Sequence, residues 1–321
     1  MNNLSRQLCL YSLTLCASSI ALAQTDEFVY VPVLDGGITG SVGALYLVPS
    51  SDFESYFAVP SSPSAGETNY DVLNVNPNYQ WGIDASLGYI FDDTANAVDL
   101  FFRNISTSDT DTSKFDTSPT NTATVTGNLG YDLTAFDLMF SQFVDFGRYM
   151  EMRFMAGLAY VELKQNRNTD LENDPTDTFN LSNQTSKFTG WGPRVGIDSR
   201  YDFFGGFGLV AGGSFGYYLG KLDTTTYLLT TADTTENATD NQDNHAVMNL
   251  RANIALDFMF IYDDKDNSVF GLEAGYLIDY YDDGVGSVNL NGITSAGIAG
   301  EPMSTSAVSF SGPYINLKGS Y

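Results

Sequence analysis

Between Tyr79 and Phe91 the chain reads YQWGIDASLGYIF, with Tyr79, Trp81, Ile83, Ala85, Leu87, Tyr89 and Phe91 apolar or aromatic and Gln80, Gly82, Asp84, Ser86 and Gly88 polar or small between them. Residues two apart share a face in a strand and lie on nearly opposite sides of a helix, so this period predicts a strand with one apolar face. An ordinary strand has about 5 or 6 residues, and this alternation persists for about twice that length.

The same period predicts ten strands, near residues 38–48, 79–91, 98–105, 129–143, 150–163, 188–201, 207–219, 246–262, 270–280 and 307–321. The connections alternate strictly: long at 49–78, 106–128, 164–187, 220–245 and 281–306, short at 92–97, 144–149, 202–206 and 263–269. Soluble sandwiches have no reason to alternate. An outer-membrane barrel does, because its periplasmic turns are short, its extracellular loops long, its strand number even and its termini periplasmic. The expected fold is therefore all-β, a transmembrane antiparallel up-and-down β-barrel of ten strands with five long extracellular loops. A tilted strand needs about 9 to 11 residues to cross the hydrocarbon layer. Girdle aromatics then lengthen it, with Tyr79 and Trp81 at the outer interface and Tyr89 and Phe91 at the inner one. Closure follows from the need to pair every backbone N–H and C=O in lipid.

Charge placement follows the same period. Asp84, Asp99, Arg103, Glu151, Arg153, Arg194, Asp198, Arg200, Arg251, Asp257, Glu273 and Asp279 all fall opposite the apolar series of their segments, which assigns them to the lumen. An arginine facing lipid at the midplane would cost about 2–4 kcal/mol. In the fourth segment Tyr131 and Leu133 follow one register and Phe136, Leu138 and Phe140 the other, which predicts a bulge near Thr134. Ten strands leave a narrow lumen, and the charges inside it are expected to pair into a structural network rather than a selectivity filter.

The first residues, MNNLSRQLCLYSLTLCASSIALAQ, combine Arg6, an apolar run and a small-x-small site at Ala21-Leu22-Ala23, predicting a signal peptide over 1–23 and a single mature barrel domain over 24–321. Cys9 and Cys16 both lie in that leader, so no disulfide is expected. No run of about 20 apolar residues follows it, which excludes a membrane-spanning helix. The chain ends on Tyr321 after Ile315 and Leu317, an aromatic-terminated signal suited to the barrel assembly machinery.

A net charge of −25 and a pI near 4.1 exclude nucleic acid as a partner. Many of the acids fall in the long loops, among them Asp52, Glu54, Asp109, Asp111, Asp170, Glu172, Asp174, Asp177, Asp233, Glu236, Asp240 and Asp243. Such a rim would concentrate cations, divalent ions included, and repel anions within a Debye length of about 8–10 Å. Some ten-stranded outer-membrane barrels are rim proteases. The one histidine, His245, lies near Asp243, and these two are the sole candidates for general acid–base work, with no second acidic pair beside them. No enzyme and no cofactor is expected. DDKDN at 263–267 lacks the glycine and distal Glu of a calcium loop and reads as a solvated turn.

The stretch FTGWGPRVGIDSRYDFFGGFGLVAGGSFGYYLGKL (188–222), together with GALYL (43–47), WGIDASLGY (81–89) and FSGPYINLKGSY (310–321), resembles the Legionella-type major outer membrane protein family. That resemblance implies a pore-forming protein of the bacterial outer membrane and brings no catalytic residue with it. The function expected is passive passage of small solutes or ions through a narrow, cation-preferring pore. The alternative is a closed structural barrel, or an adhesin, acting through its acidic loops. The oligomeric state is left open.

Overall fold

In the computed structural model the described residues are 29–32, 34, 36–64, 67–118, 121–173, 180–229, 235–263, 268–288, 293–294, 297–298 and 304–321. The leader 1–23 lies outside them. Ten long strands follow one another: β1 Gly37–Ser51, β2 Gln80–Ile90, β3 Asn96–Ser118, β4 Asn121–Phe146, β5 Met150–Asn173, β6 Asn180–Phe204, β7 Phe207–Leu229, β8 Thr235–Asp263, β9 Ser268–Ser287 and β10 Ser304–Ser320. Each pairs antiparallel with the next. β10 returns to pair with β1, from Val308 opposite Ser51 to Ser320 opposite Thr39. The sheet is thereby a closed ring without a free edge, the arrangement that satisfies backbone groups in lipid.

The outer wall is apolar through a belt bounded by aromatics. Trp81, Ile83, Leu87 and Tyr89 on β2 point outward, as do Phe154, Leu158 and Tyr160 on β5 and Leu250, Ile254 and Leu256 on β8. At one end of the belt lie Tyr46, Tyr79, Trp81, Tyr160 and Trp191; at the other, Tyr89, Phe91, Tyr149, Tyr201, Phe260 and Phe270. Girdle rings contact one another, Tyr46 with Trp81 at 4.7 Å and Phe207 with Phe258 at 4.7 Å between centroids. Just beyond Tyr160 the outward face turns polar, with Lys187 Nζ 2.9 Å from Glu162 Oε1.

The two ends of the barrel differ. At one, strands join through tight turns. Gly205 and Gly206 between β6 and β7 have φ of +61° and +85°, the two positive values a two-residue I′ hairpin turn needs. At the other, strands rise well past the aromatic belt. The stretch 106–128, rich in Ser, Thr, Asp and Asn and expected as loop, is instead strand in its described residues, and the ladder runs from Ser106 opposite Asp132 to Asp116 opposite Thr122. β7 and β8 stay paired as far as Leu229 and Thr235. The period-two signal fades there because both faces are polar, but β-branched Thr favours extended backbone and the ladder continues. A bulge sits between Gly220 and Lys221, opposite Asn244 at φ +63°.

The expected bulge near Thr134 is absent among the described residues. β4 keeps one register against β5 from Ala123 opposite Asn173 to Phe146 opposite Met150. Tyr131 and Leu133 point inward and are fully buried, while Phe136 points outward. The alternation never slips. Above the belt the inside becomes apolar, so the greasy positions change face without any change of register.

Candidate functional site

Three layers fill the interior, each set by the inward residues at one height. Nearest the tight turns is a chamber of about 370 Å³, lined by Asp99, Glu151, Arg153, Asp198, Arg200, Glu273, Tyr314 and Lys318 and walled on its apolar side by Phe101, Met139, Phe143 and Met155. Arg153 bonds to Asp99 and stacks its guanidinium 5.2 Å over Phe143. Arg200 Nε lies 2.9 Å from Asp257 Oδ2, and Lys318 bonds to Glu273, which also accepts from the Tyr314 hydroxyl at 2.7 Å.

The roof of the chamber is an ionic layer. Arg103 on β3 donates through Nε to Asp84 on β2 at 3.1 Å and through Nη1 to Asp279 on β9. Arg251 on β8 reaches Asp84 at 3.4 Å. Arg194 on β6 lies 3.0 Å from Asp137 on β4 and donates to Ser214 at 2.7 Å and to the Tyr218 hydroxyl at 3.3 Å. Asp279 accepts also from Asn249 at 2.7 Å and from Tyr281 at 3.3 Å. Arginine suits this position because its planar fork can hold two acids from different walls at once. Such buried pairs add little net stability, but losing one partner leaves a desolvated charge, at a cost of about 3–5 kcal/mol.

Above the ions lies an apolar layer. Leu45, Leu47, Ile105, Tyr131, Leu133, Leu163, Phe188, Tyr218, Tyr281 and Phe310 come from all round the ring, and each is at most 1 % exposed. The Phe310 ring on β10 meets Tyr131 on β4 edge-on at 6.2 Å and Tyr281 on β9 at 6.5 Å. β4 and β10 are far apart around the wall, so this contact crosses the lumen. A continuous water-filled path would touch these side chains, and their burial shows that they close the section.

The segment between β1 and β2 covers the same mouth. Residues 55–64 and 67–74 form a hairpin, and Tyr56 at its base turns inward. Its hydroxyl meets Ser113 at 3.4 Å, Arg167 Nη1 donates to the Ser55 carbonyl at 3.0 Å, and Thr169 donates to the Tyr56 carbonyl at 3.3 Å. Gly127 makes room for the Tyr56 ring, which a Cβ there would meet at 2.4 Å. Asn78 anchors the return of the chain, its backbone and side-chain N–H groups donating to the Asp109 carboxylate at 3.0 and 2.9 Å. Burial lowers the pKa of the Arg167 guanidinium, which lies well above the belt.

All twelve sequence-assigned lumen charges face inward. Asp84, Asp99, Arg103, Arg194, Asp257, Glu273 and Asp279 are buried, Arg153, Asp198, Arg200 and Arg251 partly so, and Glu151 stands open at the mouth of the chamber. Asp137 and Lys318 also belong to the interior and escape the sequence reading. The assumed bulge hid Asp137, although it alternates with Phe136 and Leu138; Lys318 alternates with Leu317 in the terminal strand. Among the described residues every basic group of the chamber and the ionic layer has a carboxylate partner, whereas Asp198 and Glu151 have no ion pair.

His245 Nε2 lies 2.8 Å from the Asp283 carbonyl and its ring meets Phe188 edge-on at 6.0 Å, while Asp243 is exposed on β8 opposite Lys221. No hydrogen bond between the two is present among the described residues, where no group of three or more His, Cys, Asp or Glu could hold a metal ion either. Of DDKDN, residues 264–267 lie outside the described residues. Tyr321 at the chain's end exchanges backbone hydrogen bonds with Ile38, 2.9 and 2.7 Å, at the tight-turn rim of β1.

A closed antiparallel ring with an apolar, aromatic-bounded exterior and a charged interior defines a transmembrane β-barrel of the bacterial outer membrane. The chain belongs to the family described as Legionella pneumophila major outer membrane protein precursor, whose sequence model matches residues 30–320. Among solved structures the barrel is similar to the outer membrane protease OmpT from Escherichia coli, at 11 % identity over 91 % of this chain and 98 % of that one, with a TM-score of 0.44. It is similar also to a major outer membrane protein from Thermus thermophilus, at 12 % identity over 69 % of this chain and 98 % of that one, TM-score 0.33. A third is a Pseudomonas aeruginosa FadL homologue, at 10 % identity over 89 % and 90 %, TM-score 0.26. No curated protein matches the sequence.

Proposed function

We propose that the protein is a narrow, cation-preferring outer-membrane pore for small solutes and ions, seen here in a closed state. The tall hairpins face the outside of the cell, and the tight turns and both termini face the periplasm. The observation that carries this reading is the charged chamber of about 370 Å³ that leads from the tight-turn mouth to the ionic layer. A barrel serving only as a wall would have no need of a polar vestibule ending on a partition of side chains. Cation preference rests on the acidic outer surface, where Asp52, Asp170 and Asp243 are exposed. The same rim would gather divalent cations from the medium. No catalytic residue and no cofactor enters the mechanism.

Passage would require the side chains at the Phe310 level to part and the Arg103 and Arg251 bridges to open, so conductance is low and intermittent. Recording from the refolded protein in a planar bilayer tests the proposal. Small, brief, cation-selective openings are expected, and a silent bilayer containing verified folded protein would sink it. The packed upper half of the lumen favours one other reading, a permanently closed barrel acting through its outer hairpins.

A further inference from the structure

We infer that the tight-turn chamber is a binding site for a small aliphatic polyamine, a flexible organic cation with N–H donors spaced along it. The inference rests on the chamber itself and does not require that anything pass through the barrel.

Unmet hydrogen-bonding capacity in the chamber lies mostly with acceptors: Asp137 Oδ1 and Asn316 Oδ1 lack a partner, against one donor, Arg153 Nε. Asp198 and Glu151 line it without an ion pair among the described residues. At the roof the Asp137 side chain is only 8 % exposed, and its Oδ1 has no hydrogen-bond partner although Oδ2 is held by Arg194. Unmet acceptors of this kind call for a donor, and charged ones for a cationic donor. An anion would meet surplus carboxylates, while Arg153, Arg200 and Lys318 each already hold a carboxylate. A bare inorganic cation would not span the site. Glu151 is opposite Arg200 and Arg153 opposite Asp198, which makes Glu151 and Asp198 diagonal neighbours whose backbone positions are about 7–8 Å apart, and Asp137 lies further up the chamber. A chain of methylenes with amines at intervals reaches from one to the next. Its hydrocarbon sections have Met139, Met155, Phe101 and Phe143 to lie against.

Titration calorimetry of the refolded full-length protein in detergent with spermidine tests this. Saturable one-site binding is expected, weakened about tenfold by Asp198→Asn or Glu151→Gln, since each removes one charge-assisted hydrogen bond, and unchanged by Asp243→Asn on the outer rim. Replacing spermidine by its fully quaternised, permethylated analogue, which keeps the charge and has no N–H donor, should abolish the specific signal. Absence of saturable binding, equal affinity for the methylated analogue, or loss through the rim variant alone would overturn the site. Should the chamber variants fold poorly, carbodiimide coupling on the wild-type protein serves instead. Glu151 and Asp198 should be modified and spermidine should shield them; modification indifferent to spermidine refutes the inference. Binding without conductance would leave the site standing and remove the pore, and conductance without binding would do the reverse.

Discussion

Arg103 on β3 and Asp279 on β9 join opposite walls of the barrel, with Arg103 2 % exposed and Asp279 fully buried. The guanidinium also holds Asp84, so its removal leaves Asp279 without a cationic partner and Asp84 with only the longer contact to Arg251. Arg103→Ala should destabilise the barrel by about 3–5 kcal/mol, and Arg103→Ala/Asp279→Ala by less than the sum of the two single changes, because they share one interaction. Urea titrations of folding into lipid vesicles measure both, and additive losses would show that the bridge carries no coupling.

The outer wall makes a second prediction. Ile254 and Leu256 are 55 % and 62 % exposed on the lipid face, and Asn253, next to Ile254 on the same strand, turns inward to donate to the Tyr314 hydroxyl at 3.1 Å. Ile254→Arg should cost about 2–4 kcal/mol of folding stability in bilayers. Asn253→Arg should cost less, since Asp198 and Glu273 face the same chamber. Equal penalties would contradict the assigned faces.

Much of this wall is legible in the sequence, for a physical reason. Lipid forbids outward charge, and that prohibition leaves a clean period of two in segments such as 79–91 and 246–260. The rule lapses above the belt. Tyr131 and Leu133 are greasy residues pointing inward, and without the membrane to fix which face is apolar they looked like a register shift. Residues 106–118 look like loop because both faces are polar, yet the ladder of Ser106 opposite Asp132 and its successors continues. Lumen charges can be assigned by parity, but their partners cannot. Arg103 and Asp279 are 176 positions apart, and which acid meets which base depends on how the ring closes. The closed section at Phe310 depends on side chains from distant strands and leaves no mark on any single segment.

Gly127 faces the Tyr56 ring so closely that even an alanine methyl would collide with it. Backbone paired on both sides cannot yield, so the ring and the hairpin behind it should. Gly127→Ala should expose residues 55–74 to proteolysis on the folded barrel while leaving the barrel core intact by heat-shifted mobility. Undiminished protection would mean that the hairpin is held by Arg167 and Asn78 without Tyr56.

Orientation is tested by tags. A short epitope inserted between Ser118 and Asn121, or between Leu229 and Thr235, should be reached by antibody on intact cells. One at Arg148 or between Gly205 and Gly206, in tight turns, should be reached only after the envelope is breached. The opposite pattern would invert the barrel.

Selectivity should come from the rim and fade with salt. The ionic layer is close to balanced, with Arg103, Arg194 and Arg251 facing Asp84, Asp137 and Asp279, so it limits flow without choosing a sign. The outer acids act at a distance, and their reach shrinks from about 10 Å at 0.1 M salt to about 3 Å at 1 M. Reversal potentials across a salt gradient should therefore show cation selectivity at low salt and drift toward neutrality near molar salt. Replacing Asp170, Asp174 and Asp177 by Asn should reduce the low-salt selectivity and leave the molar-salt value unchanged. Anion selectivity at low salt would reject the rim mechanism, and cation selectivity that survives molar salt would place the filter inside, at the partly buried Asp198, where screening reaches less.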